Sequence, residues 1–231
     1  MKHLTSVLLA ACFVIPLVSA ELENDIPVGI EGVTGIRSDY VYRGFNLGDV
    51  VMDFQVETEI VIGETLTLGT GGWLATEVGK DFTEGAGFLD LHYSLHDNIT
   101  ITTSASYHAY NDSFFDNGFD LGSSITWHVG GDWSINIGVY RDWAATGWYA
   151  DLGSDWSFRL SDETYLVVST GISTIENYYG LSGLNDFHGQ VSLTYNLNSM
   201  LSITPFAGWS CELDVGDGDE IYAGLWFEVS F

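Results

Sequence analysis

The chain has 231 residues, with six Lys plus Arg against 32 Asp plus Glu and a formal net charge of −26. That balance excludes binding of nucleic acid or anionic lipid heads through basic patches, and it favours attraction of cations. No apolar run beyond the first residues approaches the ~18–20 residues of a membrane-spanning helix.

Lys2 and His3 form a short basic start, Leu4 to Val18 is apolar, and Val18-Ser19-Ala20 is a small-residue cleavage site ahead of polar Glu21. This pattern is that of a secretory signal peptide over 1–20, leaving 21–231 as the working domain. Leu9-Ala10-Ala11-Cys12 also resembles a lipoprotein processing box, but Cys12 comes early and the apolar run continues past it. Beyond the leader Cys211 is the only cysteine, so the sequence predicts neither a disulfide nor a cysteine-based metal site.

From there the chain alternates with period two. Phe54, Val56, Thr58, Ile60 and Ile62 take one face while Asp53, Gln55, Glu57 and Glu59 take the other. A helix would scatter those carboxylates around its axis; a strand collects them on one side. The pattern recurs in about twelve segments of roughly membrane-strand length. They run over 28–44, 51–62, 66–77, 86–96, 99–110, 118–129, 133–142, 147–160, 164–174, 185–197, 200–210 and 219–231. Alternate connections are tight, such as Asp97-Asn98 and Asn198-Ser199. The others are mostly longer and acidic, such as 111–117 and 211–219.

Short turns on one side and longer loops on the other predict an all-β fold, a transmembrane antiparallel up-and-down β-barrel of about 12 strands. Closure has a simple cause: in hydrocarbon every backbone N–H and C=O must pair within the protein, and only a closed sheet has no edge. The first strand is therefore expected to pair with the last. A soluble sandwich also alternates, but the ends and the aromatics favour the barrel. Ala223, Leu225, Phe227, Val229 and Phe231 share one face, as in the aromatic last strand of outer-membrane barrels. Tyr40, Tyr42, Trp127, Trp133, Trp148 and Tyr195 sit near strand ends, where lipid-facing aromatics form two girdles; Phe227 and Phe231 join them. Pro205 cannot donate a ladder hydrogen bond, which predicts a bulge or local break in its strand.

On the first strand this parity points Ile30, Ile36, Tyr40 and Tyr42 to lipid, and Glu31, Arg37, Asp39 and Arg43 to the lumen. A hairpin centred near Asn46-Leu47-Gly48 would set Arg43 against Asp53, Asp39 against Glu57 and Arg37 against Glu59. The two opposite-charge pairs would each be worth roughly 0.2–1 kcal/mol, while the like charges of Asp39 and Glu57 would repel. The pairs are expected to form either a selective constriction or a salt-bridge lattice that holds the hairpin.

The stretch Ser38-Asp39-Tyr40-Val41-Tyr42-Arg43-Gly44-Phe45 resembles the amino-terminal signature of the TorF-type (Gcw_chp) porin family of Gram-negative outer membranes. Ser38, Tyr40, Val41, Arg43 and Gly44 match it directly, Asp39 stands for the usual Asn and Tyr42 for the usual Phe. The detailed match covers about the first hairpin. The resemblance implies a barrel with pore activity and leaves the solute open.

The remaining inward residues are acidic or neutral. Asp90, Asp120, Asp151, Asp155 and Glu228 join Asp53, Glu57 and Glu59, and only Arg37, Arg43, Arg141 and Arg159 could oppose them. Carboxylate-lined pores favour cations. The expectation is a porin-like channel for passive diffusion of small solutes, weakly cation-selective and of small conductance. Inward Trp73, Tyr149, Tyr222 and Trp226 would fill part of a lumen of about twelve strands. The alternatives are a non-conducting structural or binding barrel and, more remotely, a hydrolase built on Ser94, His92, His96, His108 or His128. No cofactor is expected and no metal site: His92 and His108 read as ordinary lumen residues, and the acidic stretch 214–220 lacks the ordered spacing of a calcium loop. The expected partners are outer-membrane lipid and lipopolysaccharide, the barrel-assembly machinery through the last strand, and small solutes or cations.

Overall fold

A computed structural model describes residues 28–80, 82–111 and 116–231. The predicted signal peptide and the middle of the 111–117 loop lie outside the described residues. The strands are β1 Val28–Arg37, β2 Tyr40–Tyr42, β3 Phe45–Gly48, β4 Val51–Val61, β5 Leu66–Glu77, β6 Thr83–His96 and β7 Ile99–Tyr110. They continue with β8 Gly118–Gly130, β9 Trp133–Asp142, β10 Gly147–Arg159, β11 Thr164–Tyr178, β12 Leu181–Asn196, β13 Leu201–Glu212 and β14 Glu220–Ser230. All but β2 and β3 form one closed antiparallel barrel in which each strand pairs with its chain neighbours. β1 closes the ring on β14, from Glu31 opposite Ser230 to Arg37 opposite Gly224.

Parity sorts the side chains across this wall. On β4, Met52 and Phe54 are exposed at 51% and 53%, while Val51 and Asp53 beside them are 0% and 6% exposed. The outward row continues around the ring through Leu89, Leu121, Ile137, Leu152, Leu193 and Phe227. In water such a band would be costly, at about 25 cal/mol per Å² of apolar surface; in hydrocarbon that cost vanishes. Trp127, Trp133 and Tyr195 are exposed on the outside near the tight turns, Trp148 near the loops, and Phe227 and Phe231 on the closing strand side.

Two expectations change and a third is met. First, the wall strand β1 ends at Arg37, not at residue 44. The true β1–β4 register sets Glu31 against Glu57, Gly35 against Asp53 and Arg37 against Val51, so none of the three predicted charge pairs forms as expected. Residues after Arg37 leave the wall and make a separate two-stranded ribbon, β2 with β3. Second, the loop predicted between 174 and 185 is short, because β11 runs on to Tyr178 and β12 starts at Leu181. Register shifts between Ile172 and Thr174 and between Ile175 and Tyr178 break the alternation there, which hides the strand ends. Third, Pro205 makes the expected local break, a gap in the ladder without a bulge. The β12–β13 partners stop at Ser192–Phe206 and resume at Tyr195–Ile203 in unchanged register, while Pro205 stays opposite Leu225 on β14.

Candidate functional site

The ribbon of β2 and β3 folds into the loop end of the barrel. Its turn is Arg43-Gly44, with φ of 51° and 81°. Gly44 is required twice over: its φ is left-handed, and a Cβ there would stand 2.5 Å from Asn185 Nδ2. Asn185 instead donates from Nδ2 to the Arg43 carbonyl at 2.8 Å, tying the tip to β12 across the lumen.

The Arg43 side chain enters a cage built by strands on the far wall. Its Nη1 donates to Asp120 Oδ2 of β8 at 2.5 Å and lies 3.6 Å from Asp142 Oδ2 of β9. Its guanidinium carbon sits 5.0 Å from the Tyr42 and Tyr140 ring centres and 4.9 Å from that of Tyr149. The cage is itself braced. Tyr178 donates its hydroxyl to Asp142 Oδ2 at 2.9 Å, the Ala145 N–H donates to Asp142 Oδ1 at 2.9 Å, and Phe45 stacks on Tyr178. Tyr140 lies flat over Gly122, where any Cβ would collide with its ring. Burying one guanidinium costs several kcal/mol. Two carboxylates and three aromatic faces, the latter worth about 0.5–2 kcal/mol each, offset that cost.

The base of the ribbon is held on the near wall. Arg37 Nη2 donates to Asp53 Oδ1 at 2.6 Å, and its guanidinium lies 4.6 Å from the Tyr40 ring centre. Tyr40 is buried against Trp73 and Phe82 and donates its hydroxyl to Glu84 Oε2 at 3.0 Å. Burial, then the charge of Glu84, push the Tyr40 phenol well above its ordinary range, so it stays a donor. At the exit Glu77 Oε1 accepts from the Asp49 N–H at 2.8 Å and from Lys80 Nζ at 2.8 Å.

Tyr40 and Tyr42, predicted to face lipid, are therefore inside the barrel. Tyr40 finds a partner for its hydroxyl in Glu84, and the Tyr42 ring packs against the Arg43 guanidinium and His108. Arg43 pairs with Asp120 and Asp142 rather than Asp53, and Asp53 takes Arg37. Asp39 lies in the bend between β1 and β2, partly exposed. Asp90, Asp151, Asp155, Glu57, Glu59 and Glu228 share the inward parity of their strands. Arg141 and Arg159 do not join them: Arg141 lies over Trp148 on the outer rim, and Arg159 pairs with Asp162 at a tight turn. Among the described residues Arg37 and Arg43 are thus the lumen's arginines.

Glu84, Tyr140, Asp142, Tyr149, Tyr178 and Asn185 complete the site. Parity alone marks Tyr149 as lumen filling, and the others carry no sequence signal beyond inward parity. Asp186, buried on β12, accepts from Ser173 and from Ser210 Oγ at 2.7 Å and pairs with His188 at 3.2 Å.

Below the ribbon is a cavity of about 240 Å³ lined by Val33, Arg37, Asp53, Gln55, Trp73, Trp226 and Glu228. Trp226 stacks on Phe206 at 4.0 Å between ring centres. Inward Trp73, Tyr222 and Trp226 narrow the lumen, as expected. Ser94 forms no triad. His92 Nδ1 bonds Thr102 Oγ1 at 3.0 Å. His108 links Ser106 Oγ, at 2.9 Å from Nε2, to Glu84 Oε1, at 2.7 Å from Nδ1. Glu84 is fully buried and also holds Tyr40, so this relay fixes the ribbon.

No family model matches the chain and no curated protein is similar to it. Solved structures share the fold. The KdgM porin is 12% identical over 88% of this chain and 99% of its own, with a TM-score of 0.58. The COG4313 outer membrane channel from Pseudomonas putida F1 is 10% identical over 94% and 100%, with a TM-score of 0.57. The translocator domain of the autotransporter NalP from Neisseria meningitidis is 13% identical over 90% and 89%, with a TM-score of 0.53. The class so defined is a closed twelve-stranded antiparallel barrel of the outer-membrane type. At such identities the likeness extends to fold alone, and a porin, a channel and a translocator all share it.

Proposed function

We propose that this chain is a porin-like channel of a Gram-negative outer membrane, passing small solutes by diffusion with a weak preference for cations. We also propose that it is exported by a cleaved signal peptide and is a relative of the TorF-type porins. The observation that carries the pore reading is the distribution of charge inside the barrel. Both lumen arginines are consumed by Asp53, Asp120 and Asp142, so the water-facing remainder of the wall is acidic: Glu31, Glu57, Glu59, Asp90, Asp155 and Glu228. Carboxylate-lined lumens favour cations and repel anions. The family resemblance falls on the inward ribbon, in keeping with a shared constriction. Lipid, lipopolysaccharide and the barrel-assembly machinery are the partners such a protein would meet.

A second reading, a non-conducting barrel, draws on the ribbon itself, whose Tyr40 is 3% exposed and whose Arg43 side chain is 10% exposed. Enzymatic activity is not part of the proposal, because strand residues around Ser106 commit their backbone N–H groups to the ladder and leave none for an oxyanion. Planar-bilayer recording in a salt gradient separates the readings. A reversal potential shifted toward the cation supports the channel, and silence over many insertions favours the closed barrel.

A further inference from the structure

We infer that the cage of Asp120, Asp142, Tyr140 and Tyr149 is a binding site for a guanidinium- or ammonium-bearing solute, in which Arg43 sits as a tethered competitor. This deepens the pore reading and rests on it where the cage is taken as a permeant site; binding itself requires no conduction.

The cage belongs to the wall. Asp120 is on β8, Tyr140 and Asp142 on β9, and Tyr149 on β10. Its bracing is mostly independent of the ribbon: Tyr178 and the Ala145 N–H hold Asp142, and the Gly122 notch seats Tyr140. Withdrawal of Arg43 would leave two carboxylates facing two aromatic rings, the chemistry that recognises organic cations. Sodium or potassium would gain the carboxylates but little from the rings.

The occupant, by contrast, is held under strain. Arg43 has φ of 51°, a left-handed region that non-glycine residues enter only at an energetic cost. Its backbone carbonyl accepts from Asn185 Nδ2 at 2.8 Å. A tethered group competes at an effective concentration in the millimolar range or above. A free guanidinium solute at such concentrations can therefore exchange with Arg43, and the exchange frees the tip of the ribbon in the lumen.

The test is calorimetry of the full chain in detergent with millimolar guanidinium chloride, against sodium chloride at equal ionic strength. Arg43→Ala should bind guanidinium saturably and about tenfold or more tighter than wild type, and Arg43→Ala/Asp120→Asn should lose that gain. No saturable binding by Arg43→Ala, or binding undiminished by Asp120→Asn, overturns the inference. Hydrogen exchange of wild type over residues 40–48 tests the same cage without any variant. Guanidinium must speed exchange there more than sodium does, and equal protection in both salts refutes the cage. Binding in a chain that stays silent in bilayers keeps the cage and removes the pore reading. Conductance steps without binding do the reverse.

Discussion

Arg37 and Lys80 both form ion pairs, and their surroundings set them far apart in energy. The Asp53 side chain is only 6% exposed, and Arg37 Nη2 bonds it at 2.6 Å. Arg37→Ala would strand that carboxylate, and losing one partner of a buried pair costs about 3–5 kcal/mol. Lys80 is 58% exposed, so solvent screens its pairs with Asp49 and Glu77, and the Asp49 N–H still serves Glu77 without it. Thermal unfolding in detergent should therefore show a clear drop for Arg37→Ala and almost none for Lys80→Ala. Gly44→Ala belongs to the same scale. The added Cβ meets Asn185 at a left-handed φ, so the ribbon tip should undock, by about 1–3 kcal/mol, while the barrel stays folded. Faster proteolysis near residue 44 with unchanged heat-modifiable migration on gels would register that outcome. Which arginine meets which acid is not legible in the sequence. Arg43 and Asp120 are 77 positions apart, and their meeting depends on a ribbon turning inward, which parity along one strand does not encode.

At the scale of elements, β4 to β10 and β14 follow the alternation closely, because a wall with oil on one side and water on the other imposes period two on every residue. Alternation misleads where that two-sided environment ends. Tyr40-Val41-Tyr42 continues the pattern of β1 without belonging to the wall, since a ribbon buried in the lumen also has two faces. Ser38 and Asp39 are the only local break, and Ser38 spends its backbone and hydroxyl on Ala223 of β14. The facing ends of β11 and β12 are obscured for the opposite reason, bulges that shift the pattern within a continuous ladder. Because β1 pairs with β4 and β14 through Arg37 without any help from β2 or β3, the ribbon is dispensable for closure. Replacing residues 39–49 by a short Gly-Ser turn should leave a heat-modifiable barrel. Its far-ultraviolet spectrum should stay that of a β-sheet protein.

Over the whole molecule, 32 acidic residues against six basic ones produce a lumen with a single sign of field once Arg37 and Arg43 are neutralised. The composition makes that sign legible without any fold. The narrowness is only half legible, because inward Trp73 and Trp226 can be read from parity while the ribbon cannot. Screening weakens such a field, with a Debye length of about 10 Å at 0.1 M salt and about 3 Å at 1 M. Cation preference should accordingly decline as salt rises. The most direct measurement is single-channel recording, in a potassium chloride gradient, of the wild-type chain beside the chain lacking residues 39–49. Small steps with a cation-shifted reversal, enlarged severalfold when the ribbon is removed, are the predicted result; an anion-shifted reversal, or silence from both chains, would contradict an acid-lined pore narrowed by its own first loop.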